Sequence, residues 1–161
     1  MTTAPKPLPL LDDARPHWDA AREGNYLLQR CRECQTYLVP PVYDCFHCHA
    51  GAQALEWAEV SGRGTLHTFN IYHRAYHPGF ADEVPYNTAI VELAEGPLVT
   101  TRIVDCANDD LAVGMSVQVT FVDHNGTPDI RLPVFAPDRG TTDDIDTSSR
   151  EPARNRDGET P

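Results

Sequence analysis

Four of the chain's five cysteines fall between residues 31 and 48, in the stretch CRECQTYLVPPVYDCFHC. They form two Cys-x-x-Cys pairs, Cys31 with Cys34 and Cys45 with Cys48, separated by ten residues. Each such turn aims two thiolates at one point. Two turns facing each other across a short hairpin supply the four sulfurs of a tetrahedral structural zinc site. Four thiolates leave no position for water or substrate, so a site of this kind holds the fold together and performs no reaction. Two disulfides would use the same residues. However, residues 1–11 are broken by prolines and lack the apolar run of a secretory signal, so a reducing, intracellular setting is expected. A redox Cys-x-x-Cys sits at the start of a helix after a strand, a setting neither pair has. His47 and His49 flank Cys48 and read as solvated neighbours of a complete ligand set. Gln35 and His49 follow the two pairs where a left-handed glycine is the usual choice, so the knuckles are expected to be strained but to keep their metal. The intervening Val39-Pro40-Pro41-Val42 is apolar and short of backbone donors, which suits the rim of a small hairpin.

A second concentration of reactive side chains is FNIYHRAYHPGF, residues 69–80. Histidine is the side chain most easily set to move protons near neutrality, which makes His73 and His77 the candidate acid–base residues, with His67 close by in sequence. No serine, cysteine or carboxylate has the spacing of a nucleophilic motif, and Cys106, in a polar connector, reads as an inert thiol. Tyr72, Tyr76 and Phe80 are expected to be exposed on a loop and are of the types enriched at interface hot spots, so docking is the stronger reading of this stretch. Alternation leaves open that Tyr72 fills a core instead.

The elements that must position these groups follow from composition and pattern. Fourteen prolines and ten glycines in 161 residues favour a turn-rich, mainly β protein. The formal charge is −11, and residues 56–137 hold eleven acidic against four basic side chains. Such a surface repels a phosphate backbone, which makes nucleic acid an unlikely partner. An oligonucleotide-binding module stacking bases on Trp57, Phe69 and Tyr72 is the rival from another class. No run is long and apolar enough for a membrane span.

Residues 1–24 read as an extended arm, with Leu8, Leu10 and Leu11 available to a partner, followed by a short helix over 14–23. Asp12, Asp13 and Pro16 mark its start, Gly24 its end, and Trp18, Ala21 and Arg22 share a stripe. A helix this short needs a partner, so Trp18 is expected to bury against the rest of the chain or another subunit. Residues 25–54 form the ribbon, opened by a strand over 25–30. Residues 55–137 form a second module. Its five strands lie at 55–74, bent at Gly62 and Gly64, then 88–93, 98–104, 115–121 and 130–135. Met115, Val117, Val119 and Phe121 alternate with polar residues in the clearest period-two pattern of the chain. An exposed loop (75–87), a polar connector with room for one helical turn (105–114) and the turn His124-Asn125-Gly126 join them. Pro133 confines the last strand to an edge. This arrangement fits a five-stranded Greek-key barrel of the OB type, with a small β-sandwich as the alternative. In residues 138–161 the only large aliphatic is Ile145, so an acidic, disordered tail is expected.

From residue 18 to 135 the order of motifs resembles the zinc-ribbon plus OB-fold proteins grouped as DUF 35. The motifs are YLLQRCRECQTYLVPPVYDCFHC, LEWAEVSGRGTLHTF, PYNTAIVEL, EGPLVTTRIVD, LAVGMSVQVTF and LPVF. Gln35 and His49, in place of glycines, are the departure from that pattern. The resemblance implies a rubredoxin-like ribbon with structural zinc on Cys31, Cys34, Cys45 and Cys48, and a protein partner. Members are encoded beside, or fused to, thiolase-superfamily proteins and MaoC-type hydratases, in acyl-CoA-processing complexes. Some partners perform thiolase or hydroxymethylglutaryl-CoA-synthase chemistry. In bacterial steroid catabolism the partner is a retro-aldolase that cleaves a side-chain acyl-CoA. A composition rich in Ala, Asp, Arg and Pro suits a high-GC bacterium and points to the last of these, in the cytoplasm. With only Arg63, Arg74, Arg102 and Arg131 near the barrel, the partner is expected to hold the nucleotide end of a shared acyl-CoA. Tyr72, Tyr76 and Phe80 would meet the partner or the acyl portion.

Overall fold

The computed structural model describes residues 4–7, 14–125 and 127–140, the side chains of 127–129 excepted. Among the described residues the chain is mainly β, with a single α-helix, α1 (Arg15–Glu23), that touches both of its sheets. Pro16 occupies the first turn, where a missing N–H costs nothing, and Ala20 and Ala21 form the buried face. Gly24 ends the helix in the left-handed conformation (φ 86°), with its N–H on Ala21 O and that of Asn25 on Ala20 O. Arg22 of the expected stripe is exposed. Trp18 is half-buried within the chain, edge-on to His17 at 4.9 Å.

The ribbon sheet comprises β1 (Leu27–Cys31), β2 (Tyr37–Leu38) and β3 (Leu55–Glu59), in the order β2-β1-β3 and all antiparallel. Residues 55–59, expected to open the second module, thus pair with the ribbon. The period-two pattern that marks a strand does not say which neighbour it will take. Arg30 and Glu56 face each other in that register and form a half-buried ion pair, Nε to Oε1 3.0 Å. Gln29 exchanges two hydrogen bonds with the backbone of Val42, at 3.0 and 2.8 Å, which fastens the proline-rich rim to the sheet.

The second sheet comprises β4 (Arg63–Tyr72), β5 (Tyr86–Leu93), β6 (Leu98–Thr101), β7 (Ser116–His124) and β8 (Thr127–Pro137), in the order β6-β5-β4-β7-β8. It curls until its ends meet. Ile103 bridges Phe135 in parallel, with Val104 N–H on Phe135 O at 2.8 Å and Phe135 N–H on Arg102 O at 3.1 Å. This is the five-stranded OB barrel expected from the sequence, with a register shift in β4 beyond Leu66. Gly62 takes φ 69°, and a Cβ there would lie 2.1 Å from Val119 Cγ1. At Gly64 it would lie 2.5 Å from Val91 Cγ1. Only glycine lets the bent strand approach both neighbours. Val117 is buried, and Met115, Val119 and Phe121 pack against the same core. The connector before β7 carries a single 3-10 turn, Asn108–Asp110.

Leu66, Val91, Ile103, Val117 and Phe135 fill the barrel, and Tyr26 and Leu28 from the ribbon side join that core. Helix α1 packs on both β1 and β8. Ribbon and barrel therefore share buried surface. The expectations for Leu8, Leu10 and Leu11, for Asp12, Asp13 and Gly126, and for the tail beyond residue 140 lie outside the described residues.

Candidate metal centre and adjoining groove

The two cysteine turns are built alike. Gln35 N–H reaches Cys31 O and His49 N–H reaches Cys45 O, each at 2.8 Å, while Cys31 N–H reaches Thr36 O and Cys45 N–H reaches Ala50 O, each at 2.9 Å. Gln35 (φ 62°) and His49 (φ 61°) hold the left-handed backbone that glycine would adopt freely, which is the strain expected from the sequence. The four Sγ atoms lie within 4.8 Å of one another, with Cys31–Cys48 and Cys34–Cys45 both at 3.6 Å. A tetrahedral ion with metal–sulfur bonds of about 2.3 Å would hold its sulfurs about 3.8 Å apart, so the donor set fits. Hydrogen bonds from the Thr36 hydroxyl and backbone lower the Cys34 thiol to about 5. For Cys48 the Ala50 N–H acts in the same direction, but burial and the neighbouring sulfurs outweigh it and push the thiol up to about 12. Four sulfurs this close do not all ionise unless a cation shares them. Cys31 and Cys45 are buried with Leu38 and Ala54, whereas His47 and His49 are exposed and outside the cluster.

The loop histidines do not converge on a catalytic constellation among the described residues. His77 Nδ1 accepts the Gly79 N–H at 3.0 Å and so caps the 3-10 turn Pro78–Glu83, which ties that nitrogen to the backbone. His73 is exposed, and His67 lies 3.8 Å from Glu92 on the barrel surface. Cys106 packs against the barrel core, and its thiol meets the Ala107 carbonyl at 3.5 Å. Tyr72, Tyr76 and Phe80 come together through Tyr86. Tyr72 stacks on Tyr86 at 5.3 Å, Tyr76 stands edge-on to Tyr72 at 5.8 Å, and Phe80 leans on Tyr86 at 5.4 Å. Of the three, only Tyr76 is exposed (74%), because Tyr72 and Phe80 are half-buried in this cluster. Phe69 packs on the barrel core, away from the base-stacking role.

A groove of about 610 Å³ runs between α1, the ribbon rim and the barrel. Its walls include His17, Trp18, Trp57, Phe80 and Arg102. His17 Nδ1 donates to Leu27 O at 2.7 Å, which leaves Nε2 as the unprotonated nitrogen. Burial lowers the His17 pKa against the raising effect of that hydrogen bond, which favours the neutral ring. Arg102 donates to Glu83 at 2.8 Å, and Lys6 pairs with the same carboxylate. Burial acts to raise the Glu83 pKa, but the hydrogen bonds from Lys6 and Arg102 outweigh it and hold the carboxylate below its ordinary range. No sequence signal marked His17 or Glu83, since a lone histidine on a helix and a lone loop carboxylate carry none.

Ribbon, helix and barrel thus define a four-cysteine ribbon joined to an OB barrel. Residues 18–55 match the family described as the ChsH2 rubredoxin-like zinc ribbon domain, and residues 57–122 match the ChsH2 C-terminal OB-fold domain. The chain is similar to the structure described as the Ltp2-ChsH2(DUF35) aldolase, with a TM-score of 0.70 and 33% identity. That likeness covers 81% of this chain and 98% of the other. The chain belongs to the DUF35 family. It is also similar to a probable enoyl-CoA hydratase alpha subunit of Thermomonospora curvata, 34% identical over 82% of this chain. A third relative is the 3-oxo-4,17-pregnadiene-20-carboxyl-CoA hydratase alpha subunit of Mycobacterium tuberculosis, 36% identical over 75% of this chain. The chain spans 40% and 36% of the length of these two relatives.

Proposed function

We propose that this chain is a non-catalytic accessory subunit of a thiolase-superfamily acyl-CoA complex, a retro-aldolase that cleaves the side chain of a steroid acyl-CoA in the bacterial cytoplasm. The observation that carries the reading is the likeness to the DUF35 chain of an aldolase, which extends over nearly the whole of that chain. The pregnadiene-carboxyl-CoA name of one relative supports the substrate class. The ion proposed for Cys31, Cys34, Cys45 and Cys48 is zinc, in a structural role, because a complete thiolate set leaves no open position for substrate. His73 and His77 have no catalytic partner among the described residues, and the barrel offers few cations. The catalytic groups and the nucleotide-binding charges are therefore assigned to the partner. The exposed Tyr76, backed by Tyr72 and Phe80, is assigned to covering the acyl portion or docking the partner. Isolation of the tagged chain from its native host, with identification of co-eluting protein, tests the reading. The expected result is a thiolase-like subunit in stable ratio, together with bound zinc. Recovery of the chain alone, or with nucleic acid, would overturn it.

A further inference from the structure

Residues 4–7 lie across one end of the groove, and their hold is polar. Lys6 N–H donates to Asn125 Oδ1 at 3.0 Å, and Lys6 O accepts from Asn125 Nδ2 at 3.2 Å and from the buried His124 Nε2 at 3.0 Å. The Lys6 ammonium pairs with Glu83 and lies 5.6 Å over the Phe80 ring. Gly79 lets the segment lie down, because a Cβ there would meet Ala4 O at 2.9 Å and Lys6 Cα at 3.0 Å. Three elements thus converge on one residue: the end of the β7 strand, the 3-10 turn Pro78–Glu83, and Arg102 through its shared carboxylate. Lys6, Pro7, Phe80, Arg102, His124 and Asn125 all line the groove, so the segment forms part of its wall. Neither Pro5 nor Pro7 is buried, and the Lys6–Glu83 pair is about one-quarter exposed on each side. A segment held by polar contacts without a buried apolar anchor opens locally while the rest of the fold stays closed.

We infer that residues 4–7 are a releasable strap, with Lys6 as its clasp, that controls access to this end of the groove. The inference does not rest on the acyl-CoA reading, because it concerns access and not the identity of what enters. Both tryptophans of the chain, Trp18 and Trp57, line the groove, so quenching of their fluorescence by acrylamide, a neutral probe, reports access directly. Lys6→Ala is expected to raise the quenching constant about twofold, as expected for a locally opened segment. Gly79→Ala removes no charge but displaces the strap sterically, and is expected to do the same. About 1 M salt, which shortens the screening length to about 3 Å, should raise quenching in the native chain and leave Lys6→Ala unchanged. Arg74→Ala, which removes a cation that lies over Tyr76 and does not line the groove, serves as the control at the native value. Equal quenching in the native chain, Lys6→Ala and Gly79→Ala at both salt concentrations would overturn the inference, as would a rise of the same size in Arg74→Ala.

Discussion

Replacing Asn87 with alanine would strip two hydrogen bonds from the buried backbone of Ile103. The Asn87 amide donates to Ile103 O at 2.9 Å and accepts Ile103 N–H at 2.7 Å, and its second donor reaches Asn108 Oδ1 at 3.1 Å. Ile103 is where the barrel closes on Phe135, so Asn87→Ala is expected to lose about 2–4 kcal/mol in urea unfolding, the cost of leaving two buried backbone groups unpaired. The cysteines make the stronger residue-scale prediction. Cys48→Ser removes the exposed member of the thiolate set, and the expected outcome is metal-free, poorly soluble protein, checked by metal analysis of the soluble fraction. These two sites differ in how far they could be read in advance. Cys31, Cys34, Cys45 and Cys48 were legible because paired spacing admits few geometries. Asn87 was not, because one polar residue inside a strand pattern does not reveal which backbone it will satisfy.

At the scale of elements, the glycine bend is the most demanding local structure. Gly62→Ala would place a Cβ within 2.1 Å of Val119 Cγ1 at a positive φ. The expected cost is about 2–4 kcal/mol from overpacking and backbone strain together, measured as a lowered urea midpoint with an unchanged slope. The bend, the β7 alternation, the five barrel strands and the terminal glycine of α1 were all readable, because each is a local pattern. The partner of β3 was not. Leu55–Glu59 carries a strand signal but pairs with β1 of the ribbon, where Glu56 faces Arg30, and a long-range register of this kind leaves no local mark in the sequence. The sequence predicts an exposed aromatic loop, yet Tyr72 and Phe80 are half-buried, because Tyr86, which lies further along the chain, gives them a surface to stack on.

For the whole molecule, the shared core of Tyr26, Leu28 and the barrel residues makes the ribbon more than an appended clip. Loss of the metal should therefore be felt in the barrel, through β1 and through α1, which packs on β8. The proposed role is support for another protein's active site, in keeping with histidines that do not converge on a catalytic constellation among the described residues. The measurement that tests this proposal most directly is the turnover of a steroid side-chain acyl-CoA by the proposed thiolase-like partner, purified with and without this chain. The account predicts that the partner alone is slower by at least about tenfold, a barrier difference of ~1.4 kcal/mol, and that adding a His73→Ala, His77→Ala variant restores the full rate. Full activity of the partner alone, or a complex silenced by that double substitution, would contradict it.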